Sequence, residues 1–450
     1  MTAAAAKLES ADLALHADWV IPVEPHAQVL AAHSVVVRDG RILALLPSDQ
    51  ARRDFAVHES VELAGHVLIP GLVNTHTRAT VTLRRGLTHT EHPGSSPADK
   101  LDEPQVRLSH EDLLRDASEL AIACMLRSGT TCCGDAGGFP NILAEALQRN
   151  GLRACLGLPV ADSASAWARN AGEYLARGTA LRDQYRHHPL LSFGFALQAI
   201  DRLEEPVLRE VRLLADEVDA PVKADLHPEY PEAASNARSQ TDPALARLAA
   251  LGWLTPDFSA VHLTRISAEQ ASAFAQSGAH LVYCAEFNPG KDRGAARAAE
   301  RLLGAGTEIA LGTDCADSDN AFDMFREMHA AAILAKPFGA DARAAAAAGL
   351  RMATLNGARA LGLAEETGSL VPGKWADLAA VNLDVPECLA RHTPLEQLVQ
   401  AAGRHQVREV WVAGTRLLHQ GALTRLDIDE LLQRTRRARS CAADPVAENS

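Results

Sequence analysis

Val67-Leu-Ile-Pro-Gly-Leu-Val, running on into Asn74-Thr-His-Thr-Arg, decides how this chain is read. A short, continuous apolar run of that kind predicts a strand buried on both faces, as in a parallel sheet covered by helices. From there to about residue 350 the sequence alternates between such runs and longer Ala/Leu-rich stretches of helical character. Further candidate strands are Leu190-Ser-Phe-Gly-Phe, Pro221-Val-Lys-Ala-Asp-Leu, Ser259-Ala-Val-His-Leu, His280-Leu-Val-Tyr-Cys and Glu308-Ile-Ala-Leu-Gly. Repeated strand-then-helix units over this length predict an α/β fold, a (β/α)8 TIM-type barrel, in preference to two separate open sheets.

Both flanks have a different character. Asp18-Trp-Val-Ile-Pro and Ser34-Val-Val-Val-Arg-Asp-Gly-Arg-Ile-Leu-Ala read as strands, with Asp39-Gly40 as a hairpin turn. Gly368-Ser-Leu-Val-Pro-Gly-Lys-Trp-Ala-Asp-Leu and Val407-Arg-Glu-Val-Trp-Val-Ala-Gly are again strand-like with glycine turns. The expected organisation is a barrel over 66–367 and a composite β-sandwich-like domain from 1–65 and 368–450, closed by a charged helix near Asp427 to Ser440. Residues 88–108 form a polar, Pro/Gly/Ser-rich stretch expected to be a loop over the barrel mouth.

Composition narrows the function. The chain has 450 residues, 47% hydrophobic and 22% charged, enough to bury a large core. Lys+Arg 44 against Asp+Glu 57 leaves a net charge of -13, the wrong sign for a general nucleic-acid or anionic-membrane binder. Aromatics at 4% argue against an extended stacking groove. No long apolar run and no signal-like N-terminus appear, so a cytoplasmic location is expected. The eight cysteines contain no CxxC pair and read as buried reduced thiols.

Barrel enzymes carry their chemistry at the C-terminal ends of the strands. Those positions hold His76 and Arg78, Asp225 and His227, His262, Tyr283 with Glu286, and Asp314. Histidines and carboxylates converging there would suit a mononuclear metal that activates water. Pro70-Gly-Leu-Val-Asn-Thr-His-Thr-Arg, Val261-His-Leu-Thr, Leu311-Gly-Thr-Asp and Arg351-Met-Ala-Thr-Leu-Asn-Gly-Ala-Arg resemble the amidohydrolase superfamily. Within it, the chain is similar to the 5-methylthioadenosine/S-adenosylhomocysteine deaminases and the triazine hydrolases.

The resemblance implies hydrolysis at a ring C–N bond, with metal ligands from a His-x-His pair, a fifth-strand His and an eighth-strand Asp. It also implies a sixth-strand His and a Glu, three residues past the fifth-strand ligand, for proton transfer. His76, His262 and Asp314 match that pattern. The second ligand position is Arg78, the third is Asp225, and the proton-handling Glu position is Pro228. The expected Phe-Gly-Pro-His segment reads Phe193-Gly-Phe-Ala. An arginine stays protonated and cannot ligate, so no metal is expected, with zinc only if an atypical site forms. Arg78, Asp225 and Asp314 are expected to form a charge-assisted cluster in the space a metal would fill.

The expected catalytic residues are therefore His262, Arg78 and Asp314, with Glu229, Glu286 and Tyr283 against substrate. Three functions follow: an aminohydrolase with an atypical metal site using His76, Asp225, His227 and Asp314; a metal-independent enzyme using His262 and Arg78; and a non-catalytic binding or regulatory protein. The expected ligand is a small heterocyclic molecule of the purine-nucleoside type. A homo-oligomer is expected, with neither nucleic acid nor membrane as partner.

Overall fold

The computed structural model describes residues 8–84, 111–226, 241–286, 293–314, 321–336, 341–389 and 393–443. Two eight-stranded sheets organise them. The first comprises β1 (Glu9–Val20), β2 (Leu30–Arg38), β3 (Arg41–Pro47), β4 (Phe55–Pro70), β13 (Leu378–Asn382), β14 (Val407–Val412), β15 (Thr415–His419) and β16 (Ala422–Leu423). Its order is β16-β15-β14-β13-β4-β1-β2-β3, so the two ends of the chain meet where β13 pairs antiparallel with β4. The expected composite domain is thus one continuous mixed sheet. Asp39 and Gly40, at φ 52 and 74, form the hairpin turn between β2 and β3.

The second sheet is all parallel and sequential: β5 (Leu72–Thr77), β6 (Thr130–Asp135), β7 (Arg153–Val160), β8 (Leu191–Leu197), β9 (Val222–Asp225), β10 (Phe258–Val261), β11 (His280–Tyr283) and β12 (Ile309–Leu311). A bridge from Thr77 to Asp314 brings the last strand back to the first. Side-chain alternation sorts each strand between two cores. Phe193, Phe195, Val222, Ala224, Phe258, Ala260, Leu281 and Leu311 pack outward under the helices. Val73, Cys132 and Cys155 with Ala358 and Leu361, and Val261, Val282 and Ala310 with Ala360, fill the interior. Cys132 and Cys133 go to opposite sides, as neighbours on a strand must.

One expectation needs correcting. Val67–Val73 is not a single barrel strand: β4 stays in the outer sheet to Pro70, and β5 starts the barrel at Leu72. Gly71 makes the crossing, donating its N–H to Asp377 O at 3.0 Å. A Cβ at this position would lie 2.0 Å from Thr131 Oγ1, inside a buried β-branched side chain. Gly71→Ala is therefore expected to cost about 1–3 kcal/mol through overpacking. Urea unfolding measures this, and an unchanged midpoint would rule out the close approach.

The two sheets are pinned beneath the barrel. Arg153, at the start of β7, donates Nε to Asp377 Oδ2 at 2.6 Å and Nη2 to Oδ1 at 3.1 Å. Asp377 also accepts from Ala413 N at 2.8 Å, tying the outer sheet to the same carboxylate. Arg41 stacks 3.9 Å over the Trp375 ring beside this pair.

Candidate active site

The site begins with an irregularity in β5. Its register against β6 runs from Asn74↔Cys133 to Thr77↔Asp135, three steps against two, which is a bulge. One extra residue re-aims the side chains that follow, and His76 and Arg78 both reach groups inside the barrel mouth. Asp135 holds this turn from both flanks of Arg78. Its Oδ2 accepts from Thr77 Oγ1 at 2.9 Å and Ala79 N at 2.7 Å, while Oδ1 accepts from Gly137 N at 2.7 Å. Burial pushes the Asp135 carboxyl up in pKa against those three donors.

Three other strand ends complete the constellation. Asp225 closes β9, His262 follows β10 directly, and Asp314 lies three residues past the end of β12. His262 and Asp314 have φ of 56° and 57°, left-handed values that cost a non-glycine residue roughly 1–2 kcal/mol. Strain of this kind concentrates where side-chain placement matters to function.

Asp314 is the hub. His76 Nε2 lies 3.2 Å from its Oδ1 and His262 Nε2 3.5 Å from its Oδ2, with the two rings edge to face at 5.3 Å. Arg78 enters beside them, donating Nη2 to Asp225 Oδ2 at 2.6 Å and placing Nε 3.6 Å from Asp314 Oδ1. Burial holds His76 down at about pKa 4 despite the Asp314 carboxylate, so its ring is neutral at pH 7. Burial raises the Asp314 carboxyl, but His262, His76 and Arg78 outweigh that and keep it well below the usual carboxylate range.

Whether these groups suit a zinc ion turns on the donor set. The four-ligand set implied by the resemblance does not fit. Arg78 has no lone pair to offer, and its guanidinium engages the Asp225 carboxylate that would be the third ligand. A smaller set does converge: donor atoms of His76, His262 and Asp314 all lie within 4.8 Å of one another. The buried His76 Nδ1 has no hydrogen-bond partner among the described residues. The expectation that no metal binds is therefore not supported by the side chains alone.

The remaining expected residues are placed elsewhere or not described. Tyr283 does not face the mouth: Val282 points inside, so Tyr283 packs outward with the helices, where burial and nearby Glu327 raise its hydroxyl pKa. Glu286 accepts from Arg326 Nε at 2.7 Å, braced against the helix Met324–Ala335. His227, Pro228 and Glu229, and the stretch 88–108, lie outside the described residues. Lys223 went unnoticed in the sequence. It shares the parity of Asp225 on β9, the signal that would have placed it inside the barrel, and it donates Nζ to Thr75 O.

Comparison with known proteins follows the same lines. Residues 67–417 match the sequence model of the Amidohydrolase family. A 5-methylthioadenosine/S-adenosylhomocysteine deaminase of Teredinibacter turnerae is 38% identical over 421 residues, spanning 93% of this chain and 95% of the relative. Another, from Saccharophagus degradans, is 32% identical and spans 94% of each chain. The crystal structure of a zinc-bound adenosine deaminase from Xanthomonas campestris, 38% identical, covers 97% of this chain and all of its own with a TM-score of 0.87. A zinc complex of atrazine chlorohydrolase from Arthrobacter aurescens shares the fold at a TM-score of 0.81 with 18% identity, covering 95% of this chain and 99% of its own.

Proposed function

Because this chain belongs to the amidohydrolase family, we propose that it is a member of the ring C–N hydrolase lineage whose metal position has been taken over by the guanidinium of Arg78. The carrying observation is the placement of that group, 2.6 Å from Asp225 and 3.6 Å from Asp314. The ligand class is a small amino-heterocycle of the purine-nucleoside type, as the named substrates of the relatives suggest. Standard metal-dependent deamination is absent or very weak.

What chemistry remains falls to the chain's own groups. His262, whose Nε2 lies 3.5 Å from Asp314 Oδ2, is the imidazole placed to move a proton. Arg78 places a fixed positive charge where negative charge would develop on a reacting ring. A water attacking without a metal is a poor nucleophile, so any turnover is slow.

A second reading is favoured by the convergence of His76, His262 and Asp314. Those residues would hold a zinc ion, which when bound supplies Lewis acidity and a more acidic water. Metal content separates the two. Protein produced in zinc-rich medium and dialysed is expected to hold far less than one zinc per chain. Elemental analysis giving about one tightly held ion per chain would select the second reading.

A further inference from the structure

At the position on β8 where the resemblance implies a substrate-facing His, this chain has Ala196. Phe193, Phe195 and Leu197 pack outward, so Ala196 takes the inward face. A Cβ built on Gly157, which shares the inward parity of Cys155 on β7, would lie 2.9 Å from Ala196 Cβ. The same face gains a polar group two residues on. Gln198 N donates to Val160 O at 3.0 Å, so the ladder with β7 runs one step past Leu197 and carries the side-chain alternation with it. The Gln198 carboxamide then reaches across β7, donating Nε2 to Ala136 O at 3.1 Å just past the end of β6. Ala136 N in turn donates to Thr77 O at 2.9 Å, which sets the carboxamide at the barrel mouth beside the turn that carries Arg78. Ala199, immediately after, has φ 46°, so the chain past β8 is left-handed, as it is at His262 and Asp314 past β10 and β12.

We propose that Gln198 is a specificity-determining residue, its carboxamide reading the amino-substituted edge of a heterocycle bound at this mouth. The proposal rests on the amino-heterocycle reading of the ligand given above. A carboxamide has two N–H donors and a carbonyl oxygen with two lone pairs. Among the described residues its one side-chain hydrogen bond is Nε2 to Ala136 O, and the residue is half-buried, which leaves the second N–H and Oε1 to meet a ligand. That bond also fixes which end is which. Turning the amide over would set Oε1 against the Ala136 carbonyl, two acceptors with no proton between them. Oε1 therefore accepts from an exocyclic amine while the second N–H donates to the neighbouring ring nitrogen, the pairing a Gln makes with an adenine edge. An oxo group in place of the amine would turn the donor facing Oε1 into a second acceptor, and a site built for the amine rejects it.

The test uses the full chain and two probes, adenosine and inosine, which have an amine and an oxo group at the same ring carbon. Titration calorimetry gives both affinities. Wild type is expected to bind adenosine about tenfold or more tightly than inosine. Gln198→Met keeps the side-chain length and loses the amide, and is expected to bring the two affinities to within about twofold, chiefly by weakening adenosine. A Gln198 that only braced the β6 and β8 loops would weaken both nucleosides alike. An adenosine-to-inosine ratio that keeps its wild-type value in Gln198→Met therefore overturns the proposal. Equal binding of the two nucleosides by wild type overturns it as well, with no variant needed. Both of those results leave the ligand reading intact, since adenosine still binds. A wild type that binds neither nucleoside defeats that reading and the proposal with it.

Discussion

Supplied with zinc, the purified chain is expected to release ammonia from 5-methylthioadenosine, S-adenosylhomocysteine and adenosine at least about 10⁴-fold more slowly than a relative with an intact metal set. The size follows from the proposed replacement of the metal by Arg78. A metal-activated water is itself the nucleophile of this reaction class, and without it His262 and Arg78 can only assist an ordinary water. Assay against a zinc-loaded relative measures the deficit, and a rate within about tenfold of that relative would sink the idea.

The double variant Arg78→His with Asp225→His restores ligand chemistry at two positions. Little recovery is expected, because Pro228 stands where the lineage has its proton-handling Glu, and Ala196 where a substrate-facing His is implied. The outward-packed Tyr283 takes no part in that argument. Strong recovery would mean that the pocket still fits the deaminase substrate.

The largest stability effect lies far from the mouth, at Arg153 and Asp377, whose side chains are 4% and 0% exposed. Asp377→Asn or Arg153→Met is expected to cost about 3–5 kcal/mol, since each leaves a buried partner unpaired where the barrel meets the outer sheet. Asp377 also accepts from Ala413 N, a bond the amide oxygen of Asn can keep, so the expected cost falls on the guanidinium left without its carboxylate. Urea unfolding of both single variants and the double variant measures the pair. The double variant is expected to cost much less than the sum of the singles, and strict additivity would show that the pair is not coupled.

Much of this architecture was legible beforehand. The largely apolar runs at 191–197, 258–261, 280–283 and 309–311 are strands because residues buried on both faces leave little polar alternation, whereas Val222-Lys-Ala-Asp alternates. The pairing of Arg78 with Asp225 and Asp314 was implied by the resemblance, which puts all three at ligand positions, since a cation there needs carboxylates. Tyr283 misled, because its closeness in sequence to Glu286 does not say which face of β11 it takes. Lys223 shares the parity of Asp225 on β9, which places it inside the barrel.

Residue types and their periodicity were enough to imply a barrel with a two-ended sheet, and the resemblance was enough to imply a site that departs from the family's ligand pattern at Arg78 and Asp225. Burial patterns and protonation chemistry are local properties, and a linear chain displays them. Which way β5 turns after its bulge, the left-handed backbone at His262 and Asp314, and the crossing of Lys223 under His76 were decided only in three dimensions. Each depends on contacts between strands far apart in the chain, and on the space that Gly71 and Gly134 leave open for neighbours their own sequence context does not reveal.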